Sequence, residues 1–547
     1  MRLRDRITRR LGEEEFDVLV VGGGVNGAAA AAALSARGAR TALVDRGDFA
    51  GETSQASSNL AWGGVKYLES LEVGLVRRLC QGRNELIRSY PSTVQEIRFL
   101  LVHERAFRRS RAAVWAGTLA YWALGGFFTR RPRLLSRAGL EREEPCVDPA
   151  AADGAVEYSE AFFHDNDARF VWGLLRTALD HGAAAANYVE SLGASREGGL
   201  WTTRVRDLAT GGELEVRSRL LVNACGPWAD RHNQLTGRRT RHRHVLSKGI
   251  HLIVPRVTPH HRVIAFFADD GRLFFAMPMG PRTCIGTTDT PVSSPEVEVT
   301  PEDRRFVLDN INKRLRLPRP LGEADVVAER CGVRPLAVGA EGAAGRDWVQ
   351  LSRRHVIEAD DEAGHLTVFG GKLTDCLHVG EEVCREVERL GLPLPRPRQP
   401  WYGEPPAEVH EEFLAQASRM GLDARTPPSS SEPLSVRLWR RYGGDALGLL
   451  EAIREDPRRA ELLIENAEYL RCELELAARR ELVVKLDDFL RRRSKIALVA
   501  RREEILRARG LGEACELLFG DRAGEKLAEW TRLAPQGRGS SPPYFPS

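Results

Sequence analysis

The sequence has few features that would cross-link or anchor the chain. Its nine cysteines include no Cys-x-x-Cys pair, which argues against a disulfide framework and against a zinc site, and no metal site is expected. Neither a P-loop nor a nucleophile motif occurs. A net charge of only +4 over 547 residues, with both signs interspersed, gives no reason to expect a nucleic-acid partner. These absences favour an ordinary chain of a reducing, cytoplasmic compartment.

Long apolar runs are also missing. A long uncharged, aromatic-rich run, residues 112–128, lies between Arg111 and Arg130 and is shorter than the ~20 apolar residues of a spanning helix. It predicts a helix that lies either in the core or in the headgroup region of a membrane. The basic residues 1–10 are followed by three glutamates rather than by an apolar stretch, so a secretory signal is not predicted. We expect a cytoplasmic protein and leave open whether it touches the cytoplasmic membrane face.

A glycine fingerprint stands near the start of the chain, Asp17-Val-Leu-Val-Val-Gly-Gly-Gly-Val-Asn-Gly27. Gly22 and Gly24 let the backbone turn sharply and approach a pyrophosphate, and Gly27 lets the next helix pack on the sheet. The N-terminus of that helix attracts phosphate. Asp45 ends the following apolar run, near the offset at which an acid binds a ribose hydroxyl pair. Strand, helix and acid together predict a dinucleotide-binding β-α-β unit.

The pattern along the chain predicts an α/β fold in three regions. Residues 1–400 are expected to form a Rossmann-like dinucleotide-binding core with an interleaved, mixed α+β substrate-binding subdomain. Residues 365–374 predict a second unit of this kind, in which a strand and a Gly-Gly turn lead into a helix. Four prolines within 393–400 predict a stiff linker before an all-α domain over 401–536, with helices at 438–442, 446–454, 459–467, 472–492 and 496–507. The composition of residues 537–547 predicts a disordered tail.

Seven segments of the chain carry a family resemblance. They are Val20-Val-Gly-Gly-Gly-Val-Asn-Gly27, the stretch from Thr53 to Glu69, Asn223-Ala-Cys-Gly-Pro-Trp-Ala229, Lys248-Gly-Ile-His251, Gly286-Thr-Thr-Asp289, Gly332-Val-Arg-Pro-Leu336 and Phe369-Gly-Gly-Lys-Leu-Thr374. In this order they resemble the FAD-dependent glycerol-3-phosphate dehydrogenases of the membrane-associated, quinone-reducing type, and residues 477–493 are similar to that family's C-terminal domain. The resemblance implies an FAD-binding core, oxidation of sn-glycerol 3-phosphate to dihydroxyacetone phosphate, and a quinone as electron acceptor.

The resemblance also implies the site residues. Catalysis is assigned to His251, Arg334 and Lys372, with His251 as base or hydrogen-bond partner of the alcohol. The substrate anion is assigned to Lys66, Arg334, Arg353 and Lys372, since cations suit a phosphate ester. The residues expected to bind FAD are Gly22, Gly24, Asn26, Gly27, Asp45, Thr53, Ser54, Ser58, Gly63, Gly64, Gly226, Gly370, Gly371, Lys372, Leu373 and Thr374.

Departures from the family pattern leave the substrate open. Where the family usually has Ser-Ser-Lys-Leu-Ile-His-Gly-Gly, this chain has Asn59, which removes a charge, and Trp62, which replaces an imidazole. Asp375 and Cys376 stand where a Thr-Tyr pair is usual, and they place an acid near the anion site. The alternatives are an FAD enzyme for a 2-hydroxy acid or an amino acid, and a non-catalytic flavin-binding redox module. The retained cations argue against the module. Whether the chain forms a homo-oligomer also stays open.

Overall fold

The computed structural model describes residues 2–104, 107, 109–150, 152–339, 354–427, 430, 432–464 and 467–532. Arg353 and the tail expected at 537–547 lie outside these residues. The described part confirms the α/β class with a helical C-terminal domain.

Two β-sheets and their covering helices make up the part of the chain before residue 390. The strands are β1 (Glu15–Val21), β2 (Thr41–Asp45), β3 (Leu60–Ala61), β4 (Val94–Glu104), β5 (Arg133–Ser136), β6 (Ala152–Phe163), β7 (Ala184–Asn187), β8 (Val189–Glu197), β9 (Leu200–Asp207), β10 (Glu213–Asn223), β11 (His242–Pro255), β12 (Arg262–Phe267), β13 (Leu273–Met279), β14 (Arg282–Gly286), β15 (Thr290–Val292), β16 (Ala328–Gly339), β17 (Val356–Asp360) and β18 (His365–Phe369). The helices are α1 (Leu3–Glu13), α2 (Val25–Ala36), α3 (Val73–Ser89), α4 (Arg111–Leu124), α5 (Arg137–Glu143), α6 (Asp167–Asp180), α7 (Ala229–Leu235), α8 (Pro301–Asn312) and α9 (Cys376–Arg389).

The first sheet has the strand order β17-β18-β10-β1-β2-β7, with β9 paired to β10 and β8 to β9. The strands β18, β10, β1, β2 and β7 are parallel. Helix α2 packs against α6 and α9, and its alanines 28–33 are fully buried, because a methyl group is all that fits between these layers. The carboxyl ends of β1 and β10 meet at one edge, where ligands of such sheets bind.

The second sheet has ten strands in the order β15-β11-β14-β13-β12-β4-β6-β3, with β16 paired to β11 and β5 to β6. It is antiparallel except for the β12–β4 pair. The long strand β11 pairs with β16 from His242 to Ile253. This pairing sets His251 and Arg334 on neighbouring strands.

The C-terminal domain is helical but differs in detail from the sequence prediction. Its helices are α10 (Ala407–Arg419), α11 (Leu434–Tyr442), α12 (Asp445–Glu455), α13 (Arg471–Arg480), α14 (Ile496–Val499), α15 (Arg502–Arg507), α16 (Leu511–Phe519) and α17 (Ala523–Arg532). Helix α10 lies within the predicted domain but before its first predicted helix, 438–442. The helix expected over 459–467 is wrong, since a short 3-10 turn (Pro457–Ala460) and an isolated bridge from Leu462 to Leu470 replace it.

The helix expected over 472–492 is also interrupted. Helix α13 ends at Arg480, and a π-helical turn forms later, at Asp488–Arg493. Arg492 and Arg493 in this turn are buried against Asp48 of the first domain, so tertiary ion pairs override the helical periodicity here. The helix expected over 496–507 is likewise divided into α14 and α15.

The proline-rich segment after α9 is docked on the first domain. Leu392, Leu394 and Trp401 are buried in the core of the first sheet, and the N–H of Arg396 donates to the carbonyl of Arg37 over 2.9 Å. The expected linker is therefore part of the packed structure.

Helix α4 contains most of the uncharged segment 112–128, which was expected to lie either in the core or at a membrane surface. It buries Thr118 and Tyr121, while Phe127 just beyond its end is 61% exposed. In the described part of the chain, α4 and every other helix are too short or too polar to cross a membrane.

Candidate active site

A continuous cleft lies between the carboxyl edge of the first sheet and the second sheet. One part runs from the glycine turn after β1 to Trp228, and the other reaches His251 and Arg334. The two parts share the lining residues Val25, Thr53, Ser54, Pro335, Gly370 and Gly371. The expected site residues that line the cleft are Gly22, Gly24, Asn26, Asp45, Thr53, Ser54, Ser58, Gly226, His251, Arg334, Gly370, Gly371, Lys372, Leu373 and Thr374. The elongated shape suits an extended dinucleotide.

The first glycine turn has no room for side chains. Gly22 has φ +105°, and a Cβ there would lie 2.5 Å from the carbonyl oxygen of Ala224. A Cβ on Gly27 would lie 1.8 Å from the carbonyl oxygen of Gly22, so Gly27 packs behind the turn instead of lining the cleft. The N–H of Val25, the first residue of α2, donates to Ser54 Oγ over 3.0 Å. Gly24, Val25 and Asn26 line the cleft, so the start of this helix faces it, as a pyrophosphate site requires.

Asp45 is held in place by the same turn. Its carboxylate accepts the N–H of Gly23 over 2.6 Å and that of Gly47 over 2.8 Å. Burial raises the pKa of Asp45 to about 6. The guanidinium of Arg46 stacks on the Trp228 ring, 3.9 Å from its centroid. An acid and a flat cationic-aromatic stack at this end of the cleft suit an adenosine.

A second glycine turn faces the first. Gly370 and Gly371 follow β18 with φ of +63° and +98°. The carbonyl of Gly370 accepts Nδ2 of Asn26 over 3.0 Å, and its N–H donates to His244 Nε2 over 2.9 Å. Asn26 thereby ties the two turns together, and the middle of the dinucleotide would lie between them.

His251 stands on β11 in the inner part of the cleft. Its side chain is buried, and Nε2 lies 3.1 Å from Ser58 Oγ. Nδ1 has no hydrogen-bond partner among the described residues. Burial, assisted by the charges of Arg334 and Arg330, lowers the pKa of His251 well below its ordinary value. The imidazole is therefore neutral at physiological pH, the state in which one ring nitrogen keeps a lone pair that can accept a hydrogen bond.

Arg334 on β16 lies across the neighbouring strand. Its guanidinium donates to Thr287 Oγ1 over 2.8 Å and to the carbonyl of Thr288 over 3.1 Å, and Nη1 lies 3.4 Å from Asp289 Oδ1. It covers Gly249 of β11, where a Cβ would meet Nη2 at 2.2 Å. The glycine leaves the space that the guanidinium occupies, and the three contacts fix its direction beside His251.

Lys372 is the N-cap of the short 3-10 helix Leu373–Asp375 that precedes α9. Its ammonium lies over two aromatic rings, 4.3 Å from the centroid of Tyr67 and 4.9 Å from that of Trp62. Such cation–π contacts stabilise a desolvated ammonium. The Thr374 hydroxyl donates to the carbonyl of Trp62 over 3.2 Å. The tryptophan that departs from the family pattern is thus a wall of the cleft and a support for Lys372.

Besides Gly27, three of the expected site residues lie outside the lining of the cleft. Lys66 belongs to the 3-10 helix Val65–Leu68, and it is the next residue, Tyr67, that faces Lys372. A Cβ on Gly63 would lie 2.1 Å from the hydroxyl of Tyr121, and Gly64 has φ +78° with the Tyr67 ring 2.5 Å from its Cβ position. These glycines shape the chain behind the cleft. Arg354, which follows Arg353, lines the cleft.

Asn59 and Asp375 also point away from the cleft. Asn59 is buried, and its amide joins the carbonyls of Phe163 and Asp165 to the guanidinium of Arg330. Asp375 accepts His355 Nδ1 over 2.6 Å and is bonded to His378 and Arg78. Asn59 and Asp375, two departures from the family pattern, are therefore hydrogen-bonded to other groups of the protein and do not face the cleft.

The residues present fit FAD. The glycine turns, the exposed start of α2 and Asp45 form a cradle for the dinucleotide, and Thr53, Ser58, Leu373 and Thr374 line the inner part where a flavin would lie. Two signals could have led from the sequence to the residues that were missed. Tyr67 lies within the matched segment 53–69, and Arg354 is the neighbour of a predicted ligand.

Comparison with known proteins supports the same assignment. The model of the FAD-dependent oxidoreductase family matches residues 17–374, and that of the C-terminal domain of alpha-glycerophosphate oxidase matches residues 410–510. Glycerol-3-phosphate dehydrogenase 2 of Mycobacterium tuberculosis is 31% identical over 508 residues, which cover 90% of this chain and 82% of the relative. The aerobic glycerol-3-phosphate dehydrogenase of Staphylococcus epidermidis is 28% identical over 509 residues, with coverage of 90% and 88%.

A solved structure shows the same fold over the whole chain. The glycerol-3-phosphate dehydrogenase from Bacillus halodurans, complexed with FAD, superposes with a TM-score of 0.72 at 24% identity and 99% coverage of both chains. The resemblance inferred from the sequence and the FAD cofactor are confirmed. The chain belongs to the FAD-dependent oxidoreductases and, within them, to the glycerol-3-phosphate dehydrogenase family.

Proposed function

We propose that the chain oxidises sn-glycerol 3-phosphate to dihydroxyacetone phosphate and transfers the electrons through FAD to a quinone. The observation that carries the proposal is the joint placement of His251, Arg334 and Lys372 in the inner part of one cleft. The names of the relatives in Mycobacterium and Staphylococcus support the substrate.

Each of these residues has a distinct task. The neutral imidazole of His251 accepts the proton of the secondary hydroxyl as the alcohol becomes a ketone. Arg334 and Lys372 bind the phosphate, and the guanidinium is held ready by its contacts with residues 287–289. When bound, FAD supplies the acceptor for the hydride of the alcohol carbon. Because the cations are in position before the substrate arrives, little reorganisation is needed.

An anaerobic visible spectrum of the purified holoenzyme tests this proposal. Addition of glycerol 3-phosphate, with no electron acceptor present, is expected to bleach the oxidised-flavin band. Glycerol without phosphate serves as the matched control, and it should leave the band unchanged. A band that persists with glycerol 3-phosphate but bleaches with a 2-hydroxy acid or an amino acid would overturn the substrate and favour a carboxylate. Trp62 lines the cleft where the family usually has an imidazole, and this change is the reason to test the second substrate class.

We also propose that the quinone is reached at a membrane surface. Helix α4 packs beside α3 and β5, and exposed apolar side chains surround it. Leu71 is 81% exposed, Phe127 61% and Leu134 42%. Arg109 and Arg130 lie at the edge of this surface with exposed side chains. Apolar residues flanked by arginines suit the headgroup region of an anionic bilayer.

Sedimentation with anionic lipid vesicles tests the membrane contact. The double variant Leu71→Glu, Phe127→Glu is expected to stay in the supernatant, while the wild type sediments with the vesicles. Leu208→Glu changes an equally apolar, 42% exposed residue elsewhere on the surface and should sediment like the wild type. Equal sedimentation of all three proteins would contradict the proposal.

A further inference from the structure

The loop between β2 and β3, residues 46–59, forms one wall of the cofactor cleft and is called the FAD-binding loop below. Thr53, Ser54 and Ser58 face the cleft from this loop, and Ser54 caps the N–H of Val25 at the start of α2. The loop contains no long helix or strand of its own before β3. Its conformation therefore depends on the contacts made by its other side, away from the cleft.

Asp48 is the anchor on that other side. Its carboxylate accepts Nε of Arg492 over 2.6 Å and both terminal nitrogens of Arg493 over 2.8 Å. Asn187 Nδ2 donates to the same carboxylate over 2.8 Å. The side chains of Asp48 and Arg493 are 1% exposed. Burial alone would raise the pKa of Asp48, but the two guanidinium charges lower it.

Both arginines come from the π-helical turn Asp488–Arg493 of the C-terminal domain. Arg492 also reaches further along the loop, where Nη1 donates to Gln55 Oε1 over 3.2 Å. The turn is fixed in its own position, because Asp488 accepts the hydroxyl of Tyr188 over 2.6 Å and Arg493 Nε donates to the carbonyl of Glu481 over 3.0 Å. A π-helical turn is rare and often marks a functional position.

We propose that the C-terminal helical domain holds the FAD-binding loop in shape, with Arg492 and Arg493 acting as positioning residues through Asp48 and Gln55. Neither arginine touches the cleft. Their effect passes through two side chains of the loop, one on either side of the turn that carries Thr53 and Ser54. The C-terminal domain would then determine how tightly the chain retains its cofactor, irrespective of which substrate is oxidised.

Removing one partner of a buried ion pair leaves an uncompensated charge and disturbs the segment that carries it. Arg493→Met in the full chain is expected to raise the FAD dissociation constant about ten-fold or more, within the usual range of coupling between separated sites. Arg493→Lys keeps one charge and should restore part of the affinity. The constant is measured by flavin fluorescence after dilution of the holoenzyme, and hydrogen–deuterium exchange over residues 47–58 is followed in parallel.

Arg441→Met is the matched control for general destabilisation. Arg441 also lies at the domain interface, where it pairs with Asp165 and Glu473, but among the described residues none of its hydrogen bonds or ion pairs reaches the loop. This variant should lower the melting temperature while FAD affinity and loop exchange stay close to the wild type.

Gln55→Met keeps the test informative even when Arg493→Met does not fold. Gln55 is only partly buried, so its loss is tolerated, and a weaker but measurable loss of FAD affinity is expected. If both loop-directed variants retain FAD within about two-fold of the wild type, the proposal is overturned. It is also overturned if Arg441→Met weakens FAD binding as much as Arg493→Met does. This test measures FAD binding, so its result does not depend on whether glycerol 3-phosphate is the substrate.

Discussion

Gly249→Ala displaces Arg334, the arginine proposed to bind the substrate phosphate, without removing it. The new Cβ would lie 2.2 Å from Nη2 and 2.4 Å from Cζ of Arg334, so the guanidinium must move by about 1 Å to reach ordinary contact distance. That shift breaks its contacts with Thr287 and Thr288 and moves it away from the proposed phosphate position. A charge-assisted hydrogen bond contributes about 1.5–3 kcal/mol, so we expect kcat/KM for glycerol 3-phosphate to fall about 10- to 100-fold.

Steady-state kinetics with an artificial electron acceptor measures the effect, and the flavin absorbance should stay at the level of the wild type. Gly173→Ala in α6 is the control, because no described atom lies within 4 Å of its added carbon. The double variant Gly249→Ala, Arg334→Ala should be no slower than Arg334→Ala alone, because both changes act on the same group. A kcat/KM for Gly249→Ala within about two-fold of the wild type would refute the reasoning.

Three further predictions concern proton transfer, the glycine turn and pH. His251→Asn should lower kcat about 10²- to 10⁴-fold, with FAD retained, and stopped-flow flavin reduction measures it. Gly27→Ala should purify without flavin absorbance, because its Cβ would lie 1.8 Å from a carbonyl oxygen, whereas Gly117→Ala, with no described atom within 4 Å, should keep it. Burial alone would lower the pKa of His355, but hydrogen bonds to Asp375 and Glu382 raise it. The protonated imidazole therefore stabilises the folded protein fully below about pH 6.5, the ordinary pKa of histidine. This contribution is lost as the pH rises through the raised pKa. The hydrogen bond to His355 lowers the pKa of Glu382 to about 2, so acid weakens the pair only at low pH, and the melting-temperature gap between wild type and His355→Gln should narrow from pH 6 to pH 9.

Local features of the chain were predicted well. The apolar run that ends at Asp45 forms a strand, as does the start of the 365–374 unit, and Gly22 and Gly27 occupy positions where a side chain would collide with backbone. These features depend on φ, on close packing and on the order of strand, turn and helix within a few dozen residues. The same locality explains why the dinucleotide cradle and the family could be identified from the sequence.

Contacts between distant segments were not predictable in this way. Neither the sequence position of Trp62 nor that of Tyr67 indicates that both rings face Lys372, some 300 residues later. The departures at Asn59 and Asp375 suggested a changed anion site, but the structure directs both side chains into networks with Arg330 and His355.

The C-terminal domain was likewise predicted from the sequence only in part. Helical periodicity predicted the domain, yet the turn at Asp488–Arg493 is π-helical, because Asp48 of the first domain is buried against its arginines. By itself, the sequence determined the dinucleotide-binding unit, the α/β class and the family, since each follows from short-range spacing or matched segments. Only the tertiary structure decided which cations face the cleft and which are neutralised elsewhere, because that choice depends on partners that the fold brings together from hundreds of residues away.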